Sequence, residues 1–245
     1  MRDAPLRRYF GVLLSLIGTS ATVWLAATGR LALYIHPRYV VFTTVMSVIA
    51  AILILASFAL LPDSADHPQP SRRRGSSMAI LGCLGFAALA LLLVPPSTLS
   101  VETAQQREVN QTLGSTTMTS SSLAAPTDAD YSHFRLRDWA AAIQLAAKPG
   151  VIAGRPFDGT GFVSPTGAHR SDLFYLTRFV VTCCAVDAQP VGVPISEAGW
   201  RGIRTLGSWV HVKGVLGPDP RDPSRSVVIP TSIVPIHEPD QPYEH

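Results

Sequence analysis

Cys183 and Cys184 stand side by side in this sequence, with Asp187 three residues on and His211 further along the chain. Thiolates, a carboxylate and an imidazole are the donors that hold a divalent metal such as zinc, and a cysteine pair is also the material of thiol redox chemistry. The spacing is unusual for either use. Zinc sites ordinarily draw on Cys and His pairs separated by two or more residues. A trans peptide sets neighbouring Cα atoms about 3.8 Å apart, short of the roughly 4.4–6.8 Å of an ordinary disulfide. Three readings stay open: two small residues that only pack, a metal–thiolate site joining Cys183 or Cys184 to Asp187 and a histidine such as His211, or a redox-sensitive pair. The third cysteine, Cys83, lies within an apolar run, where a small soft side chain packs.

Were these cysteines to end an extended strand, Cys183 would share a face with Phe179 and Val181, and Cys184 with Arg178, Val180 and Thr182. An activated thiol would then need a partner from elsewhere, such as His169 or His211. A second polar cluster, Tyr34-Ile35-His36-Pro37-Arg38, sits between two apolar runs. Aromatic rings and a snorkelling Arg anchor helices at the headgroup level, and Pro37 suits the first turn of a helix. The other reading makes His36 and Arg38 a polar site at the mouth of a helix bundle. No hydroxyl–base–carboxylate set, phosphate loop or HExxH helix is visible, so an enzyme is not expected. Gly159-Thr160-Gly161 is too short for a dinucleotide fingerprint and reads as a bulge or turn.

Such residues need elements to hold them, and the composition says where those elements lie. With 245 residues, 47% apolar and only 15% charged, the chain is a poor recipe for one soluble globule. Three runs compare with the roughly 20 residues needed to cross a bilayer: 9–28, 39–61 and 78–94. The last is short, but Arg72, Arg73 and Arg74 precede it, and Pro95-Pro96 and a polar stretch follow. Lys and Arg near span ends resist translocation. Three arginines precede the first span and three lie between the second and third, against two in the intervening turn. This predicts a multi-pass protein of the plasma membrane with a cytoplasmic amino terminus and everything after the third span outside.

Residues 97–132, rich in Ser and Thr, read as a disordered linker, since little there repays the entropy of ordering. Asp138 reads as the N-cap of a short helix running from Trp139 to Ala147. Beyond it come three apolar runs, from Leu173 to Cys183, Trp209 to Leu216 and Val227 to Val234, with Gly and Pro punctuating the intervals. The expected fold is therefore three transmembrane helices (1–96) and, over 133–245, a short helix with a small extracytoplasmic, mainly-β, OB-like barrel. From Val151 onward eight basic residues face nine acidic ones, which excludes a nucleic-acid partner. The lipid bilayer is the first partner expected.

Several pieces of the chain carry a resemblance: Tyr34-Ile35-His36-Pro37-Arg38, Gly161-Phe162-Val163, the run from Phe179 through Cys183-Cys184-Ala185-Val186-Asp187-Ala188, Trp209-Val210-His211-Val212-Lys213-Gly214, and Pro239-Asp240-Gln241-Pro242-Tyr243. In these it resembles the YcgQ-like family of bacterial membrane proteins, described as permease subunits. The resemblance implies an accessory subunit encoded beside a multi-span permease, and it implies no activity. The residues agree in one respect, because spans without charge at depth offer no ion path of their own. The expected function is a membrane-anchored accessory subunit whose outer domain binds the permease or its solute. The alternative is an extracytoplasmic metal-binding or thiol-redox module using the vicinal cysteines.

Overall fold

The computed structural model describes residues 3–60, 98–107, 109–110, 131–146, 152–166 and 170–245. They fall into two compact units, one up to Ser97 and one from Thr98.

The first unit is a helical hairpin of α1 (Asp3–Ala27) and α2 (Pro37–Leu60), joined through a 3-10 turn at Arg30–Leu33. Gly29, at φ 73°, takes the left-handed conformation that ends α1. Pro37 opens α2, where a fixed φ and a missing N–H cost nothing. The His36 ring stands in as a cap, its Nδ1 accepting the Arg38 N–H at 3.2 Å. Hydroxyls within the apolar helices are satisfied internally: Thr19, Thr22 and Thr44 each donate to a carbonyl one turn back. Pro37–Ser57 is long and apolar enough to cross a membrane, and Val41, Phe42, Ile52 and Leu53 are exposed along it. Among the described residues it is the one helix that qualifies. The apolar part of α1, Gly11–Ala27, is shorter than the expected 9–28 span, and 78–94, with Cys83, lies outside the described residues.

The second unit is mainly β. Its sheet has six strands: β1 (Pro156–Pro165), β2 (Leu173–Val180), β3 (Gln189–Ser196), β4 (Trp209–Pro218), β5 (Ser226–Pro235) and β6 (Tyr243–Glu244). The order is β1-β4-β5-β3-β2-β6, and β1 pairs β2 as well. Antiparallel ladders join β4 to β5, β1 to β4 and β2 to β3, whereas β3 meets β5 in parallel through a single rung, Ile195↔Val228. The strands make one six-stranded sheet, not a clear barrel. Among the described residues three α-helices accompany it: α3 (Val101–Gln106), α4 (Leu136–Leu145) and α5 (Trp200–Ile203).

Alternation in β4 puts Val210, Val212 and Leu216 inside and leaves Lys213 and Val215 outside, as the sequence pattern requires. Trp139 of α4 and Trp200 of α5 are fully buried, against Phe157 and Phe174 respectively. Burying indoles this completely makes them dominant core contributors, each worth about 3–5 kcal/mol on truncation to Ala.

Five sequence expectations change. The apolar run from Leu173 leaves the sheet at Val180, so the cysteines are not strand residues. Gly159-Thr160-Gly161 is neither bulge nor turn but the middle of β1. A Cβ on Gly161 would lie 2.7 Å from the Thr177 carbonyl oxygen, so glycine is what lets β1 approach β2 there. Pro190, Gly192 and Pro194, read as punctuation, belong to β3. The short helix starts at Leu136 with Arg135 at its N-cap, and Asp138 sits three residues inside, accepting the Arg135 N–H at 2.9 Å. Finally, the described part of the expected linker between Thr98 and Asn110 is packed on the β unit. The Asn110 side chain donates to the Gly192 carbonyl and accepts the Gly192 N–H, both at 2.8 Å, so it completes β3 as a strand would. Residues 111–130 of that linker lie outside the described ones.

Candidate metal centre

The connection from β2 to β3 runs Val181–Ala188. After Val180 the chain bends at Thr182 and Cys183, then turns through a 3-10 helix at Ala185–Asp187. The agent of that turn is Asp187. Its carboxylate accepts the N–H groups of Thr182 at 3.2 Å, Cys183 at 2.7 Å and Cys184 at 3.4 Å, while its own N–H donates to the Cys184 carbonyl at 3.0 Å. An acceptor that gathers three successive amides folds the backbone around itself.

One consequence concerns the sulfurs. In a strand they would point to opposite faces. In this turn they lie together, with the Cys183 thiol donating to the Cys184 sulfur at 3.6 Å. The two Sγ atoms and a carboxylate oxygen of Asp187 all lie within 4.8 Å of one another. Cys183 is exposed and Cys184 half-buried, and neither is in a disulfide.

His211 does not belong to this group. It sits on β4, its Nε2 held at 2.5 Å by Asp158 across the β1–β4 ladder, with Lys213 on the other carboxylate oxygen at 3.2 Å. The Asp158 carboxyl is held below the usual range, chiefly by its bond to His211. The structure therefore assembles three of the four expected donors and commits the fourth elsewhere. His169 lies outside the described residues. The interface cluster is likewise local: the Arg38 guanidinium lies 5.1 Å from the Tyr39 ring centroid, and His36 packs edge-on to Tyr39.

Electrostatics distinguish the Cys183 thiol from a reactive one. Hydrogen bonds to the Asp187 carboxylate and to Cys184 push the Cys183 thiol up to about 12. Burial opposes ionisation of Asp187, but the Cys183 thiol and the three loop amides together hold its carboxyl below the usual range. Thiols beside an anion keep their protons, and such a site becomes favourable when a cation displaces them. Nucleophilic cysteines occupy the opposite, electropositive kind of environment.

The loop is braced on both sides. The Arg107 guanidinium donates to the Ala188 carbonyl, and the Asn110 N–H to that of Pro190 at 3.0 Å. On the other flank the Val181 N–H donates to the Glu244 carbonyl at 2.9 Å, where β6 runs parallel to β2. Arg178 holds this strap through the Gln241 and Pro242 carbonyls, and the Glu244 carboxylate accepts the Leu136 and Arg137 N–H groups at the start of α4. A carboxylate on a helix N-terminus satisfies donors the helix cannot.

Sequence reasoning missed a second polar cluster. Asp219, fully buried, pairs through both oxygens with Arg170, and Arg170 also binds Asp172, which Arg221 reaches at 2.9 Å. The hydrogen bonds from Arg170 hold both carboxyls below their usual range despite burial. The residues lie in loops about 50 positions apart, and no local pattern announces their meeting.

No curated protein and no solved structure matches the chain. Two family models do, described as the DUF1980 N-terminal domain over residues 12–110 and the DUF1980 C-terminal domain over residues 114–245. The first takes in the helical hairpin from residue 12 onward and the Thr98–Asn110 arm, the second α4 and the whole sheet with its cysteine loop. The chain thus belongs to the DUF1980 family, an uncharacterised family.

Proposed function

We propose that this chain is a membrane-anchored accessory subunit whose outer β unit presents a thiolate cation site, Cys183, Cys184 and Asp187, to a multi-span permease or its solute. One observation carries the reading: an aspartate turns two adjacent thiols to the same side of an exposed loop, with three donor atoms within 4.8 Å. The anchor draws support from Pro37–Ser57. The three spans at 9–28, 39–61 and 78–94 rest on the apolar runs, and the cytoplasmic amino terminus and extracytoplasmic β unit rest on the distribution of arginines. The extra β1–β2 pairing and the β3–β5 rung favour an OB-like barrel, whose strands and loops are a common scaffold for binding. The likeness to the YcgQ-like family supplies the permease context.

The thiol-redox reading draws less support. A vicinal disulfide would require the sulfurs to close from 3.6 Å to about 2.05 Å, and the carboxylate beside Cys183 disfavours the thiolate that redox exchange needs.

The full-length chain, purified in mild detergent and exposed to zinc, is expected to hold one ion per chain. Cys183→Ser and Cys184→Ser are each expected to hold it more weakly, and the double substitution is expected to lose it. A wild-type chain without stoichiometric metal, whose thiols resist labelling in the native state, overturns the cation site. Co-purification with a multi-span permease supports the subunit role. A chain that stays alone at native expression, and whose loss leaves uptake and efflux unchanged, overturns it.

A further inference from the structure

We infer that the ion at the cysteine loop is exchangeable cargo of the zinc class, held by three donors of this chain with the fourth position filled by a neutral donor from outside. This rests on the cation site proposed above and adds its coordination number, its preferred metal and the chemistry of its exchange partner.

The sulfur separation selects the geometry. Two thiolates about 2.3 Å from a tetrahedral zinc ion stand about 3.8 Å apart, close to the 3.6 Å between Cys183 and Cys184. A linear two-thiolate ion with similar bonds would spread them to about 4.6 Å. The observed pair therefore suits a tetrahedral ion with little rearrangement.

The donor count selects the openness. All three donors come from the five residues Cys183–Asp187, and among the described residues no further His, Cys, Asp or Glu joins the group. His211, the histidine expected to join the cysteines, is engaged by Asp158 on β4. Structural zinc sites close with four protein ligands, whereas sites that exchange or react keep one position open. Cys183 faces solvent, so the open position is reachable by a second molecule.

Charge selects the fourth ligand. Two thiolates and a carboxylate carry three negative charges against two positive on the ion, leaving the site at net minus one. Another anion in the open position meets that excess, and a neutral imidazole, amine or water does not. As the ion binds, the two thiol protons pass to solvent. Handover begins as the incoming nitrogen displaces the bound water, and it ends when the two metal–sulfur bonds and the carboxylate bond give way to the partner's donors and the freed thiolates take up two protons from solvent, with no change of oxidation state. The exchange partner is thus a histidine-bearing or amine-bearing surface.

Cobalt(II) tests this in the full-length chain in detergent, because its thiolate charge-transfer bands report sulfur ligands and its ligand-field bands report the remaining positions. The wild type is expected to show both, with Cys183→Ser losing about half of the charge-transfer intensity, one sulfur of two. Added imidazole is expected to shift the ligand-field bands to a saturating endpoint with charge transfer retained, and azide at the same concentration to shift them far less. Ligand-field bands unmoved by imidazole mean a closed site and overturn the inference while the cation site stands. Azide acting as readily as imidazole overturns the charge argument. Imidazole that strips the metal, abolishing charge transfer, overturns the exchange complex. Absence of any thiolate charge transfer in the wild type removes the cation site itself.

Discussion

Two clusters in the β unit are built from the same parts and come to opposite ends. At Asp219 a buried carboxylate accepts backbone N–H groups and also meets the Arg170 guanidinium, with Asp172 and Arg221 completing alternating charges. At Asp187 a carboxylate accepts three backbone N–H groups and meets two thiols, and no cation of the described residues joins it. The first cluster is charge-matched and closed, so it fastens one loop to another. The second is all acceptors and weak donors, and what it lacks is a positive charge. An anion fixed by amides is neutralised in place when an arginine arrives, and where none does it keeps its charge for the binding proposed above.

Asp219→Ala strikes the closed cluster hardest. It strands the Arg170 charge, and breaking a pair of this kind costs about 3–5 kcal/mol. Denaturant unfolding of the full-length chain, followed by tryptophan emission, measures it; metal stoichiometry below the transition is expected to stay unchanged. A variant as stable as the parent would erase the distinction between the clusters.

Acid sharpens the same contrast. The Asp219 and Asp172 carboxyls are depressed in the folded state by Arg170, so the folded state holds fewer protons than the unfolded one as pH falls. Their contribution is complete above the ordinary carboxylate pKa of about 3.9 and is lost as pH falls below it toward the depressed values. Thermal unfolding is expected to change little from neutrality to about pH 5 and to drop steeply below about pH 4. In Asp219→Asn the drop is expected to be shallower.

Asp187→Ala should cost about 1–3 kcal/mol, because three loop amides lose their acceptor. Its sharper readout is chemical. Asp187→Asn removes the charge that pushes the Cys183 thiol up, so alkylation of Cys183 at pH 8 is expected to be faster than in the parent. Slower or unchanged alkylation would mean that the carboxylate does not govern the thiol.

Glu244→Gln tests the strap at about 1 kcal/mol, the usual scale of a helix cap. The smallest effect is expected at the exposed Asp158. Asp158→Asn is expected to shift stability by under about 1 kcal/mol and to leave cation binding at the loop intact, since His211 stands apart from it.

Much of this was legible along the chain. Continuous apolar runs identified α2, because a helix with no polar face has nowhere to lie but in apolar surroundings. Pro37 marked its first turn, and strict alternation gave β4. Where glycine and proline sat inside strands the pattern misled, since β1 and β3 use them for close approach to neighbours that a linear reading cannot see. Gly161 faces the Thr177 backbone, and Gly192 accommodates Val109 and Asn110 from the arm that had read as tether.

The candidate site divides the same way. Residue types alone nominated Cys183, Cys184 and Asp187, because few side chains offer soft or anionic donors and these lie within five positions. That the sulfurs share one side, that His211 turns instead to Asp158, and that Arg170 finds Asp219 were all decided by the fold. Side-chain direction depends on whether the backbone is extended or turned, and partners across strands are set by register. Sequence order determines which groups are available, and only the packed chain determines which of them meet.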